Sequence, residues 1–219
     1  MPIDALSREL LCLLLTVAVL GGYEWTHLRE RRRAPARSAR ERNARMRAAW
    51  VRSMMASQSN GILAVQTLRN AVMAASFMAT TAALIITGSL GFGAEANRLA
   101  AAWHAGLGLS FDASLAPFKI VALIAVFLAS FLNFALSIRL HQHVGFAITM
   151  PADPSIGHDA EGVIADLNRA GALYGGGLRI FLLGLPVIAW LFDGVLMTLA
   201  AVVLVLVRRR LDRHAVAVS

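Results

Sequence analysis

The chain has 219 residues, 58% of them hydrophobic and 16% charged, with a formal net charge of +8 and a mean hydropathy of +0.63. A soluble domain averages about 45–50% apolar and about 25% charged. The apolar residues lie in long runs with arginines between them. That excludes a secreted globule, a disordered chain and a soluble nucleic-acid binder, and leaves an integral membrane protein of about one domain.

The first spanning helix is expected at about residues 3–27, around the apolar run Leu10–Tyr23. Its leading flank holds Asp4, Arg8 and Glu9, a balanced set, and Arg29, Arg31, Arg32 and Arg33 stand behind it. With no small-x-small cleavage site, this reads as an anchor whose N-terminus is external. Cys12 lies in the same run, and as the single cysteine it allows no intramolecular disulfide.

A basic segment follows at 28–58. From Leu28 to Asn70 there are eleven arginines and two acids, which marks this stretch as cytoplasmic. Met46, Trp50 and Met54 recur every four residues, flanked by Arg42, Arg45 and Arg52. The spacing predicts a basic amphipathic helix with Trp50 at the level of anionic lipid headgroups. A helix packed on its own protein fits the same pattern. No aromatic ladder accompanies the arginines, so nucleic acid is not an expected partner.

The second helix is expected at about 59–90, closed by Gly88, Gly91 and Gly93, with a stripe of Gln66, Asn70, Phe77, Thr80 and Thr87. The loop 91–116 has one arginine and two acids and is read as external. Pro117 then opens the third helix, 117–141. Within it Lys119, Ser130, Asn133, Ser137 and His141 fall in a sector of about 80° at 100° per residue. Facing polar stripes on helices two and three imply a polar path or binding crevice, or else interhelical hydrogen bonds.

After a cytoplasmic loop at 142–177, near Arg139 and Arg169, the last apolar run spans 178–207 and ends in a basic tail, 208–219. Thirty helical residues measure about 45 Å against a hydrocarbon core of about 30 Å. A break or bend is therefore expected near Pro186 or Asp193-Gly194. A hairpin at Asp193 would leave halves of 15 and 14 residues, about 21 Å each and too short to span. One kinked crossing is the preferred reading, and it places Arg208, Arg209, Arg210 and Arg213 outside. Asp193 is the single carboxylate inside an apolar run. It needs a partner, with Arg179 too distant along the same helix, or else it marks a turn near a surface.

His141 and His143 point to different faces of a helix with no third ligand near, so no metal is expected. No phosphate loop, nucleophile elbow or other acid–base–nucleophile set is present, so neither cofactor nor enzymatic activity is expected.

Several local patterns are similar to one family. They are Trp50 with Met54, Asn60-Gly61-Ile62, Gln66 and Asn70 entering helix two, and Lys119 with Phe134-Ala135-Leu136-Ser137-Ile138-Arg139 at the two ends of helix three. Gly177-Leu178-Arg179-Ile180-Phe181, Ala189-Trp190 and Arg208-Arg209 complete the set. On these residues the chain resembles domain-of-unknown-function family 599, found in bacteria and plants, over nearly its whole length. The family's aromatics after Arg179 are partly replaced by Ile180 and Leu182, its tyrosines by His141 and His143, and Asp193 lies outside its pattern. The resemblance implies a four-helix membrane protein and no particular activity.

The expected architecture is thus all-α. It is a bundle of four transmembrane helices with a cytoplasmic basic amphipathic helix, in a bacterial inner membrane. The leading function is a homo-oligomer that conducts or binds a small solute along the polar faces of helices two and three. The alternative is a structural or accessory subunit held to itself or to an unidentified membrane partner.

Overall fold

The computed structural model describes residues 3–33, 39–56, 61–107, 115–151, 153, 155 and 157–217. These form six helices: α1 (Ile3–Arg33), α2 (Ala39–Met55), α3 (Gly61–Leu107), α4 (Ala116–Ala147), α5 (Ala160–Phe192) and α6 (Gly194–Ala217). Among the described residues the only extended pairing is the isolated bridge Asp153–His158. Among the described residues four segments are long and apolar enough to cross a membrane: Ser7–Thr26, Gly61–Gly91, Ala116–Ala147 and Ala160–Phe192.

Helix boundaries follow local chemistry. Proline sits in the first turn of α4, where no amide hydrogen is required. Asp159 caps α5 by accepting from the Gly162 N–H at 2.7 Å. Asp193 caps α6 by accepting from the Val195 N–H at 2.7 Å. Between α4 and α5 the chain turns through Gly157, whose φ of 68° is in the left-handed region. In that turn the Ser155 hydroxyl and amide both donate to Asp153 and hold its carboxyl below the usual range.

The chain divides into two compact units. One contains residues 38–83 and 128–179. Its core joins Val51 of α2, Ala64 and Leu68 of α3, Val144 of α4, and Val163 and Leu167 of α5. Trp50, Met54 and Met55 pack against this cluster, so the C-terminal part of the apolar face of α2 rests on its own protein, while Met46 is exposed. Its basic side is tied down as well, by Arg47 donating to Asn168 at 2.9 Å and Arg52 to Glu161 at 2.9 Å.

The other unit contains residues 1–37, 84–127 and 180–219. Here α6 runs parallel to α1, with Gly194 beside Cys12, Thr198 beside Thr16, and Arg208 beside Glu24. The start of α4 runs antiparallel to the end of α5, with Phe118 against Trp190 and Phe127 against Phe181.

These facts correct the reading of the last apolar run. It is two helices, not one. The segment 142–177, expected as a loop, is largely helical, and α5 starts at Ala160. The length argument no longer applies to the first half, since α5 has 33 residues and not 15, while α6 still has fourteen before Arg208. One helix stops at Phe192 and the next starts at Gly194, and α6 then runs alongside α1. Pro186 lies inside α5 without ending it. Likewise α3 does not close at Gly91 but continues to Leu107, through most of the expected external loop. Glycine costs a helix only about 1 kcal/mol relative to alanine, and no proline interrupts this stretch.

Gly184 of α5 lies directly against the Phe127 ring of α4, leaving no room for a Cβ. Gly184→Ala should therefore destabilise the protein by about 1–3 kcal/mol. Gly175→Ala, which meets nothing within 4 Å, should be neutral or stabilising through helix propensity. Thermal denaturation of the two variants in the same detergent checks the difference.

Candidate functional site

Charges and hydroxyls buried on apolar helices have the most to explain. At the α5–α6 junction four helices bring four charged groups together. Lys119, fully buried on the first turn of α4, donates to Glu9 Oε1 of α1 at 3.1 Å. The other carboxylate oxygen of Glu9 accepts from the indole N–H of Trp190 at 2.8 Å. The Trp190 ring itself lies 5.5 Å from the Lys119 ammonium and is met edge-on by Phe118. Gly194 leaves room for this, as a Cβ there would sit 3.1 Å from both Glu9 Oε2 and Cys12 Cβ.

Asp193 completes the group. One of its oxygens caps α6, and the other accepts from Arg8 Nη2 at 2.9 Å. The expected partner for this carboxylate is thus on another helix, one residue before Glu9. Two acids and two bases balance in charge, and the cluster grades from half-exposed Arg8 to Lys119, whose side chain is 1% exposed. Further along the α1–α6 seam, Thr16 meets Thr198 at 3.2 Å and Arg208 donates to Glu24 at 3.1 Å.

The polar stripe of α4 continues in the unit that holds its C-terminal half. Ser130 donates to the Gly177 carbonyl and Ser137 to the Ala170 carbonyl, both at 2.9 Å and both fully buried. His141 Nδ1 lies 2.9 Å from the carbonyl of Ser137. The amide nitrogen of Asn133 donates back to its own helix, to Ala129. Its oxygen would be 3.3 Å from a Cβ at Gly176, and the Phe134 ring 3.0 Å from one at Gly177. The glycine run before Leu178 is therefore where α4 and α5 come close.

The sequence-predicted residues separate into distinct environments. Lys119, Ser130, Ser137 and Asp193 are buried and make interhelical bonds, while Asn133 is partly buried on the same α4–α5 contact. Gln66, Asn70 and Thr80 are exposed on α3. The stripe on α4 is met by α5 and α1, not by these α3 residues. Arg139 and Arg179 are exposed. On α2, Arg42 is partly exposed and Arg45 exposed, Trp50 packs on the core, and Arg52 is paired with Glu161. Among the described residues no group of three metal-ligating side chains occurs.

Sequence reasoning missed Arg8, Glu9 and Trp190. A signal was present. Glu9 directly abuts an apolar run, as Lys119 and Asp193 each lie within one, and charges so placed need opposite charges.

Breaking a buried ion pair on one side leaves an uncompensated charge and costs about 3–5 kcal/mol. Glu9→Gln and Lys119→Met should each destabilise the protein strongly. The double variant should recover much of that loss. Midpoints of thermal denaturation in detergent complete the cycle, and strict additivity would deny coupling between the two groups.

Among curated proteins and solved structures, none matches the chain. The family model described as "Protein of unknown function, DUF599" matches residues 11–217. That span covers both the α4 stripe and the Lys119–Trp190–Asp193 group, and the chain belongs to the DUF599 family.

Proposed function

We propose that this is a multi-pass protein of a bacterial cytoplasmic membrane with a structural or accessory role, without catalysis. The observation that carries this reading is the use of the α4 polar stripe. The hydroxyls of Ser130 and Ser137 are spent on backbone carbonyls of α5, and the Lys119 ammonium on Glu9. Groups so paired and buried hold helices together and are turned away from a passing solute.

The proposal includes an orientation. With the arginines of 29–52 in the cytoplasm and the N-terminus external, α3 leaves the cytoplasm and α4 returns. Helix α5 then leaves again, and α6 turns back beside α1. The tail arginines come to the cytoplasmic side, next to Glu24, and the conflict with the positive-inside rule disappears.

A second reading, a self-associating protein with a solute path between copies, is favoured by one observation. Gln66, Asn70 and Thr80 are exposed on a membrane-capable helix. Proteoliposome flux of small ions, sugars and amino acids separates the two. No flux above empty vesicles is expected, and flux abolished by Thr80→Leu would overturn the structural reading.

Orientation is checked in intact cells with an impermeant thiol reagent on a Cys12→Ser background. Ser53→Cys should be protected until the membrane is permeabilised, and Glu95→Cys should label at once. Reversed labelling would overturn the orientation.

A further inference from the structure

The outer surfaces of α1 and α6 are apolar only between two charged levels. Leu11, Leu14 and Val17 of α1 and Leu199, Val203 and Leu206 of α6 are exposed. Arg8 with Asp193 closes this band at one end, at 2.9 Å, and Arg208 with Glu24 closes it at the other, at 3.1 Å. Asp193 and Arg208 are fifteen positions apart, and so are Glu9 and Glu24. Either count is about 22 Å of helix, against about 30 Å of hydrocarbon in an ordinary bilayer. Trp25 marks the second level independently. The Arg29 guanidinium lies 3.5 Å from its ring centroid, and an exposed tryptophan beside a cation belongs at headgroup depth.

A short apolar helix meets a thicker bilayer in few ways. Its flanking charges snorkel, it shifts, it self-associates, or the bilayer thins. Snorkelling is opposed here, because the Arg208 side chain is 10% exposed and held by Glu24. Shifting is opposed as well: Gly194 seats against Cys12, and Thr198 meets Thr16. Tilting would only shorten the span further. Each charged level is paired within the chain, Glu9 with Lys119 included, so a second copy has no countercharge to supply.

We infer that the α1–α6 pair holds a locally thinned bilayer against its outer surface, with about 22 Å of hydrocarbon there. The partner is the lipid itself. Headgroups approach Arg8 at one level and the exposed Arg209 and Arg210 at the other, and the acyl chains between them bend or splay to fit. Thinning rests on the membrane-spanning reading above, and on neither the orientation nor the role proposed with it.

The test is a depth profile along α6. The full-length chain with Cys12→Ser is reconstituted in dioleoyl phosphatidylcholine vesicles. A spin label is attached singly at Leu196→Cys, Leu199→Cys, Val203→Cys and Leu206→Cys, all exposed positions. Collision rates with oxygen and with a water-soluble nickel chelate report the depth of each label. Leu128→Cys is the reference, exposed on α4 and nine positions from Lys119, hence about 14 Å deep. With thinning, Leu199 and Val203 should be nearly equal at about 8–9 Å, clearly shallower than Leu128, and Leu196 and Leu206 shallower still. Three results would overturn the thinning while Leu128 is deep. They are an α6 profile reaching the depth of Leu128, water contact at all four positions, or labels shielded from both reagents by a covering protein. A water-exposed Leu128 would instead remove the membrane-spanning reading, and the thinning with it.

Discussion

A lysine ammonium with no access to solvent is the most demanding group in this molecule. Removing a charge from water costs several kcal/mol even after relaxation, and only good pairing offsets it. Glu9 supplies the countercharge from α1, Trp190 supplies a hydrogen bond from α5, and Gly194 leaves the space from the start of α6. Each of these positions is constrained by the others. The depth at which α1 starts, the point at which α5 stops and the direction in which α6 leaves all follow from satisfying Glu9 and Lys119 together. Asp193 links the pair to the helix break, because the same carboxylate caps α6 and holds Arg8.

How much of this could be read from the residues depended on the range of the interaction. Long apolar runs gave an all-helical chain with four membrane-capable helices, because hydrophobic length is a local property. Asp193-Gly194 is a local breaker signal, and the helix is interrupted there. The return of α6 could not be seen locally. It depends on Thr16, Cys12 and Glu24, more than 180 residues earlier. The start of α5 was misplaced for another reason. Asp166, Asn168 and Arg169 interrupt the apolar pattern, yet on a helix they fall to the side of Val163, Ile164 and Leu167, which are buried. An amphipathic helix entering a membrane helix without interruption blurs the boundary that hydropathy alone would draw.

The polar residues of α3 and α4 looked equivalent in sequence, and their fates differ for a stereochemical reason. On α4, glycines at 176 and 177 of the facing helix admit the stripe closely, and serine hydroxyls reach main-chain carbonyls. On α3 the packed side is a line of alanines, Ala75, Ala79 and Ala82. That leaves Gln66 and Asn70 on the far side of the helix. Small residues, not polar ones, chose which face of α3 turned inward, in keeping with packing in lipid being driven by close contact. With solute conduction as the alternative, the same geometry separates the two stripes functionally. One belongs to the internal bonding of a copy, and the other remains for whatever lies outside it.

Arg208 draws these strands together. Its side chain is 10% exposed at a point where the apolar run of α6 has ended, and Glu24 of α1 receives it. Arg8 with Asp193 at one end of the α1–α6 pair and Glu24 with Arg208 at the other frame a stretch of apolar and hydroxyl contacts between them. An unpaired charge at either end would favour sliding α6 toward water. Paired at both ends, α6 is fixed in register with α1, and a helix with only fourteen apolar residues before its arginines is held beside one long enough to span.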